Sequence, residues 1–265
     1  MTVAGYSRDM ESLAGVKSIA GLRILVVDDH VINREFLKTG LTRLAAEVDL
    51  ADNGLDALER CVEKHFDVIL LDLHMPKMDG LATAHRIRDL DTPSSNAHLI
   101  ILTADTRPEE KERLLEAGID AFLNKPISIP DLARAIQTVR APDSVHEDPD
   151  SRSLTPTALI DRNQALAAAN QDQALVEKLS AMLAVELKTG LPELDRMLGE
   201  GQHEQAASRL HQWTGAGGYV GATRFVQACQ GLREILTEDG EARIGTTYAR
   251  FVRTAQATRM ALESQ

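Results

Sequence analysis

Aromatic side chains make up only 3% of the 265 residues. Hydrophobic residues overall reach 43%, so any core must be built from Leu, Ile, Val and Ala. Cysteine is equally scarce. Cys61 and Cys229 each fall in an apolar helical stretch, and neither stands in a CxxC or Cys/His spacing. That excludes a disulfide framework and a zinc site, and leaves buried free thiols in a reducing compartment. No basic stripe interrupts a formal net charge of −11, so nucleic acid is repelled and is not expected as a partner. No apolar run is long enough to cross a bilayer. Arg8, Asp9, Glu11 and Lys17 break up the first segment, which is neither a signal peptide nor a membrane span. The expected compartment is the cytoplasm, with no membrane contact by this chain.

What is present divides at a linker. After an N-terminal tail, 1–20, residues 21–140 alternate short apolar runs with amphipathic stretches. The runs are Arg23–Asp28, Glu47–Ala51, Asp67–Asp72, His98–Thr103 and Asp120–Lys125. Three are near-continuous and aliphatic, as parallel strands buried on both faces require. Ile32, Phe36, Leu37, Leu41 and Leu44, then Leu81, Ala84 and Ile87, follow helical spacing. The expected fold is an α/β doubly wound five-stranded parallel sheet. Residues 141–157, Pro- and Asp-rich, lose all apolar period and read as the linker.

Residues 158–265 show no strand pattern. Leu175, Leu179, Leu183, Leu187, Leu191, Leu194 and Leu198 recur at helical spacing, with Pro192 as an expected kink. Phe225, Cys229 and Leu232 repeat the period, as do Ile244, Tyr248 and Ala255. Breaks at 199–201 and 238–240 join the segments. The pattern predicts an all-α antiparallel helical bundle.

Four strand ends carry chemistry. Asp28 and Asp29 close the first strand, Asp72 the third, Thr103 the fourth and Lys125 the fifth. Ligand sites in open α/β sheets form at the carboxyl ends of the strands, so these groups should share one crevice. Carboxylates held together repel each other, and a hard divalent cation relieves this. Mg²⁺ suits the site, because it binds one or two carboxylates, keeps waters and takes a phosphoryl oxygen. Asp72 would then be the nucleophile toward phosphorus. Lys125 would neutralise charge and Thr103 would donate to a phosphoryl oxygen, with the small Ala104 leaving room.

These residues resemble the response-regulator receiver domain over about 22–139. The matching motifs are Val26-Val27-Asp28-Asp29, Asp72-x-x-Met75-Pro76-x-Met78-Asp79-Gly80, Thr103-Ala104 and Lys125-Pro126. The resemblance implies a flavodoxin-like strand order 2-1-3-4-5 and Asp72 as phospho-acceptor. It implies Asp29 as a direct Mg²⁺ ligand, Asp28 acting through water, and the His74 carbonyl completing the metal site. It also implies a cis bond before Pro126 and a switch made of Thr103 and Phe122. By composition alone, Phe122 reads as core rather than as a switch.

His211 lies about 100° from the apolar face carried by Ala207, Leu210, Thr214 and Gly217, and should be partly exposed. Gly215 and Gly218 follow on its own side. Each helical glycine costs about 1 kcal/mol relative to alanine, a cost that makes sense if another protein approaches the imidazole closely. The glycine run from Gly215 to Gly221 follows a helix and lacks Gly-Lys-Ser/Thr, so it is no nucleotide loop. Residues 158–265 resemble a histidine-containing phosphotransfer (HPt) domain. The match rests on His211-x-x-x-Gly215-x-x-x-x-x-Gly221-Ala222 and Cys229-x-x-Leu232. That resemblance implies His211 as a second phosphoryl acceptor and Thr214, Gly215 and Gly218 as docking positions. Thr214 departs from it, because the family usually has Lys there, and Trp213 stands where Leu is common.

Together the two halves read as a phosphorelay intermediate with Mg²⁺ as cofactor. An upstream histidine kinase and a downstream response-regulator receiver would be its partners. No ATP-binding kinase core is visible. The chain is read either as a whole protein or as the cytoplasmic part of a membrane-bound hybrid histidine kinase. The competing reading is a phosphorylation-controlled receiver whose HPt-like bundle binds a partner without catalysis.

Overall fold

The computed structural model describes residues 19–103, 118–140, 159–237 and 241–264. The linker 141–157, Ala104, the break at 238–240 and nearly all of the N-terminal tail lie outside the described residues. Ile19, assigned above to the tail, is buried in the core.

Strand β1 is Arg23–Val27, β2 Glu47–Ala51, β3 Val68–Asp72, β4 His98–Thr103 and β5 Ala121–Asn124. They form one five-stranded sheet in the order β2-β1-β3-β4-β5. Every pairing is parallel. The expected fold and order are both found. β3 is buried at every position because helices cover both faces. Helices α2 (Gly54–Glu63) and α3 (Gly80–Arg88) cover one face with Ala57, Cys61, Ala84 and Ile87. Their starts are fixed by Asn53 and Asp79, whose side chains accept first-turn N–H groups. Helices α1 (Val31–Arg43) and α4 (Ile129–Val139) cover the other face.

The helical region begins with α5 (Arg162–Ala168). It continues with α6 (Gln173–Gly199), α7 (His203–Tyr219), α8 (Thr223–Thr237) and α9 (Glu241–Glu263). Helix α6 packs on α7, α7 on α8, α8 on α9, and α9 returns to α6. Short connections make successive helices reverse direction. Helix α6 runs through Pro192 as one element. Gly221 takes φ +71, and a Cβ there would lie 2.1 Å from the Asp161 carbonyl oxygen. Only glycine suits a turn that tight and left-handed.

Both cores are mainly aliphatic, as expected, and the bundle adds a cluster of rings to its own. The few aromatic rings are concentrated there: Trp213 stacks on Phe251 at 6.1 Å, and Phe225 fills the space beside both. A four-helix interior is wide, and a few large rings close it where many small side chains would leave voids.

The two halves also share a core. Phe36 on α1 stacks on Tyr219 at the end of α7, with ring centroids 3.9 Å apart, and both are fully buried. Around that contact, Lys178 pairs with Glu35 at 2.6 Å, and Arg43 pairs with Asp172. The sheet-bearing half therefore presents α1 to α6 and α7, and the glycine-rich part of α7 comes to lie over the strand ends.

Candidate active site at the strand ends

Asp28 and Asp29 follow β1, Asp72 ends β3, Thr103 ends β4 and Lys125 follows β5. The parallel sheet brings these ends to one edge, as the sequence predicts. Asp28, Asp72 and Thr103 are each 1% exposed. The Lys125 ammonium lies 2.7 Å from Asp28 Oδ2 and 2.9 Å from Asp72 Oδ2. Asn33 donates to both Asp28 oxygens at 3.1 Å, and the His30 backbone N–H donates to Oδ1 at 2.8 Å. The His74 backbone N–H reaches Asp72 Oδ1 at 3.4 Å. The Lys125–Pro126 bond is cis, and the Lys125 N–H donates to the Thr103 carbonyl at 2.7 Å. Phe122 is half-buried against the core of the α2/α3 face.

Burial raises the Asp72 carboxyl to about 7, reinforced by the neighbouring Asp28 and Asp29 and opposed by Lys125. Burial also raises Asp29. Lys125 moves the other way to its own burial: Asp28 and Asp72 hold its ammonium above the ordinary value. Three acids and one buried ammonium leave an excess of negative charge. Asp28, Asp29 and Asp72 each offer an oxygen within 4.8 Å of the others. Asp29 Oδ1 is buried with no partner. An unpartnered buried carboxylate oxygen beside excess negative charge fits a hard cation, and the acidic triad fits Mg²⁺.

Lys125→Ala is expected to lower stability by about 3–5 kcal/mol, because it leaves buried carboxylates without their cation. Mg²⁺ should recover part of that loss. Denaturation with and without the ion reads both effects. A midpoint equal to wild type without Mg²⁺ would show that Lys125 is not the charge that balances this site.

The helical region closes over the acids. Gln212 donates to Asp29 Oδ2 at 2.7 Å. His211 is 8% exposed, and its ring meets His74 edge-on at 5.0 Å. The expectation of partial exposure fails here because the cover comes from the other half of the chain. Burial, then Lys125, His74, Arg233 and His30, drive the imidazole down to about 2, so the ring is neutral. Gly215 and Gly218 face the sheet-bearing half: added Cβ atoms would lie 3.1 Å from Asn33 and 2.7 Å from Pro126. Thr214 is different. It is buried, and its hydroxyl donates to the Leu210 carbonyl one turn back.

Glu186 on α6 ties the junction together. It accepts from Trp213 Nε1 at 2.9 Å and pairs with His30 Nε2 at 2.9 Å. These bonds hold its carboxyl below the ordinary value against the effect of burial. A crevice of about 660 Å³, lined by Asp29, His30, Val185, Glu186 and Gln212 among others, opens beside them. No motif or period in the sequence marks Gln212, His30, Glu186, Asn33 or Arg233. Gln212 and His30 are each adjacent to a residue singled out above, His211 and Asp29.

Residues 24–137 match the model of the response regulator receiver domain. That segment is a phosphorylatable receiver domain, and a C-terminal helical region follows it. The sensor histidine kinase GacS of Pseudomonas protegens is 28% identical over 224 residues, 82% of this chain and 24% of that protein. The virulence sensor protein BvgS of Bordetella bronchiseptica is 28% identical over 259 residues, 94% of this chain and 21% of that protein. The sensor histidine kinase RcsC of Escherichia coli is 42% identical over 108 residues, 41% of this chain and 11% of that protein. The chain thus spans a quarter or less of the length of these relatives. Among solved structures, the chemotaxis protein CheY4 of Vibrio cholerae is 30% identical, covers 45% of this chain and 99% of its own, and has a TM-score of 0.44. The receiver domain of the sensor histidine kinase PA1611 of Pseudomonas aeruginosa, with magnesium coordinated in its active-site cleft, is 29% identical. It covers 46% of this chain and 100% of its own, with a TM-score of 0.43.

Proposed function

We propose that residues 21–140 act as a receiver and residues 158–265 as an HPt module, and that the chain relays phosphate between Asp72 and His211. The carrying observation is that a neutral imidazole meets the ring of His74, two residues beyond Asp72, while its neighbour Gln212 bonds to Asp29 of the carboxylate cluster. Two phosphoryl acceptors placed so close have most of their encounter entropy removed.

Asp72 is the first acceptor. Its carboxylate oxygen forms the new bond to phosphorus. The bond from phosphorus to the donor's imidazole nitrogen breaks, and its electron pair stays with that nitrogen. Lys125 holds Asp72 and Asp28 in place and offsets charge on the phosphoryl group, and Thr103 donates to one of its oxygens. Asp28, Asp29, Asp72 and the His74 carbonyl would hold Mg²⁺, which when bound neutralises phosphoryl oxygens. Thr103 and Phe122 would report the acyl phosphate to the rest of the receiver. His211 then takes the group from Asp72, or returns it. An upstream histidine kinase and a downstream receiver are the partners, and the sensor kinases that the chain resembles support this placement.

The test uses the chemical difference between the two products. After labelling by a phospho-receiver, wild type should carry a phosphoryl group that survives alkali and is lost in acid, as a phosphoramidate does. His211→Gln should take no label from that donor, because it lacks the imidazole that accepts from an acyl phosphate. Equal labelling of both chains with no acid-labile species would leave the bundle as a non-catalytic binding module.

A further inference from the structure

His211 Nδ1 lies 2.7 Å from Arg233 Nη1 on α8. A guanidinium stays protonated in proteins and offers N–H donors without any acceptor. In this contact Arg233 therefore donates and Nδ1 accepts. A nitrogen that accepts cannot also carry a proton, so the ring's one proton sits on Nε2. Both residues belong to the bundle.

We propose that Arg233 holds His211 in its Nε2–H tautomer and acts as a brake on phosphoryl transfer. This rests on the reading of His211 as a phosphoryl acceptor, and with Nδ1 covered by Arg233 the nitrogen left to bond phosphorus is Nε2. Attack by Nε2 uses its in-plane lone pair, and in the Nε2–H tautomer a proton occupies that position. The productive ring carries its proton on Nδ1. The Nε2 pair then forms the N–P bond, the P–O bond to Asp72 breaks, and that pair returns to the carboxylate. The Nδ1 proton, now on a cationic ring, leaves to water.

Every stage of that route needs a proton on Nδ1, where Arg233 already points an N–H. Two donors cannot face each other at 2.7 Å, so the guanidinium must swing away first. Its half-exposed side chain has a path to solvent. The reverse reaction meets the same obstacle. A proton on Nδ1 makes the phosphorylated ring a better leaving group, and Arg233 opposes that proton too. The brake therefore slows loading and unloading alike. The residue is a positioning group, because it acts through the imidazole.

The experiment reads tautomer and rate separately in the full chain. Imidazole ¹⁵N shifts separate a protonated ring nitrogen from an unprotonated one, and His211→Gln assigns the signals. Wild type should show a protonated Nε2 and an unprotonated Nδ1. Arg233→Gln offers Nδ1 an amide oxygen as well as an N–H. It should populate the Nδ1–H tautomer and speed transfer to His211 about tenfold or more, the scale set by losing one charged hydrogen bond. Arg233→Lys, which like arginine can only donate, should stay at the wild-type tautomer and rate. A protonated Nδ1 in wild type overturns the proposal. So does an Arg233→Gln chain whose tautomer shifts while its rate does not, or an Arg233→Lys chain as fast as Arg233→Gln. If no variant forms an acid-labile phosphoryl group, it is the reading of His211 as an acceptor that fails. The brake falls with it, and the ¹⁵N spectrum still decides the tautomer.

Discussion

Asp72→Asn is expected to take no label from acetyl phosphate and Mg²⁺, whereas the wild-type chain labels. The amide keeps the size and shape of the side chain and removes the oxygen nucleophile. Asp72 lies between the Lys125 ammonium and the His74 backbone N–H, with Asp28 and Asp29 beside it. Those neighbours position a phosphoryl group but cannot replace the atom that bonds to it. Chelation by EDTA should suppress wild-type labelling as well, because charge neutralisation supplies most of the catalysis in such transfers. Intact-mass measurement reads both results. Undiminished labelling of Asp72→Asn would move the acceptor to another residue and dissolve the assignment of the whole site.

Gly218→Leu is expected to separate the two phosphoryl sites while leaving the bundle folded. A Cβ at this position would lie 2.7 Å from the Cβ of Pro126, closer than real side chains approach. The collision is with the receiver half. Inside α7 the change is favourable, since leucine exceeds glycine in helix propensity by most of 1 kcal/mol. The variant should therefore keep wild-type helicity and lose the packed junction. A tethered partner has an effective concentration on the order of millimolar. At micromolar protein, transfer forced to occur between chains should slow by about a thousandfold. Asp72→Asn chains mixed with His211→Gln chains supply the intermolecular reference. In that mixture transfer should rise with concentration, whereas Gly218→Leu should stay slow at every concentration, because the same collision with Pro126 meets a receiver in trans. A Gly218→Leu chain that transfers as fast as wild type would show that the packed junction is not the transfer complex.

Local sequence determines most of the receiver half. The aliphatic runs mark the strands to within a residue or two, because a strand buried on both faces must be apolar throughout. The acids, Thr103 and Lys125 are legible because each sits at the end of such a run, and parallel strands bring their ends to one edge. The helical period of the second half follows from α-helix geometry alone. What covers His211 is not written in any period. An apolar stripe shows which face of a helix seeks burial, and says nothing of a polar, glycine-rich face that another part of the chain covers. Gln212 reaches Asp29 across 183 positions of sequence, and Arg233 reaches His211 across 22. Phe36 reads as ordinary core within its own helix, and only the folded chain sets it against Tyr219. Strand ends and helix faces are local properties and the sequence alone determines them. Which polar groups meet depends on how two surfaces dock, and only the tertiary structure decides that.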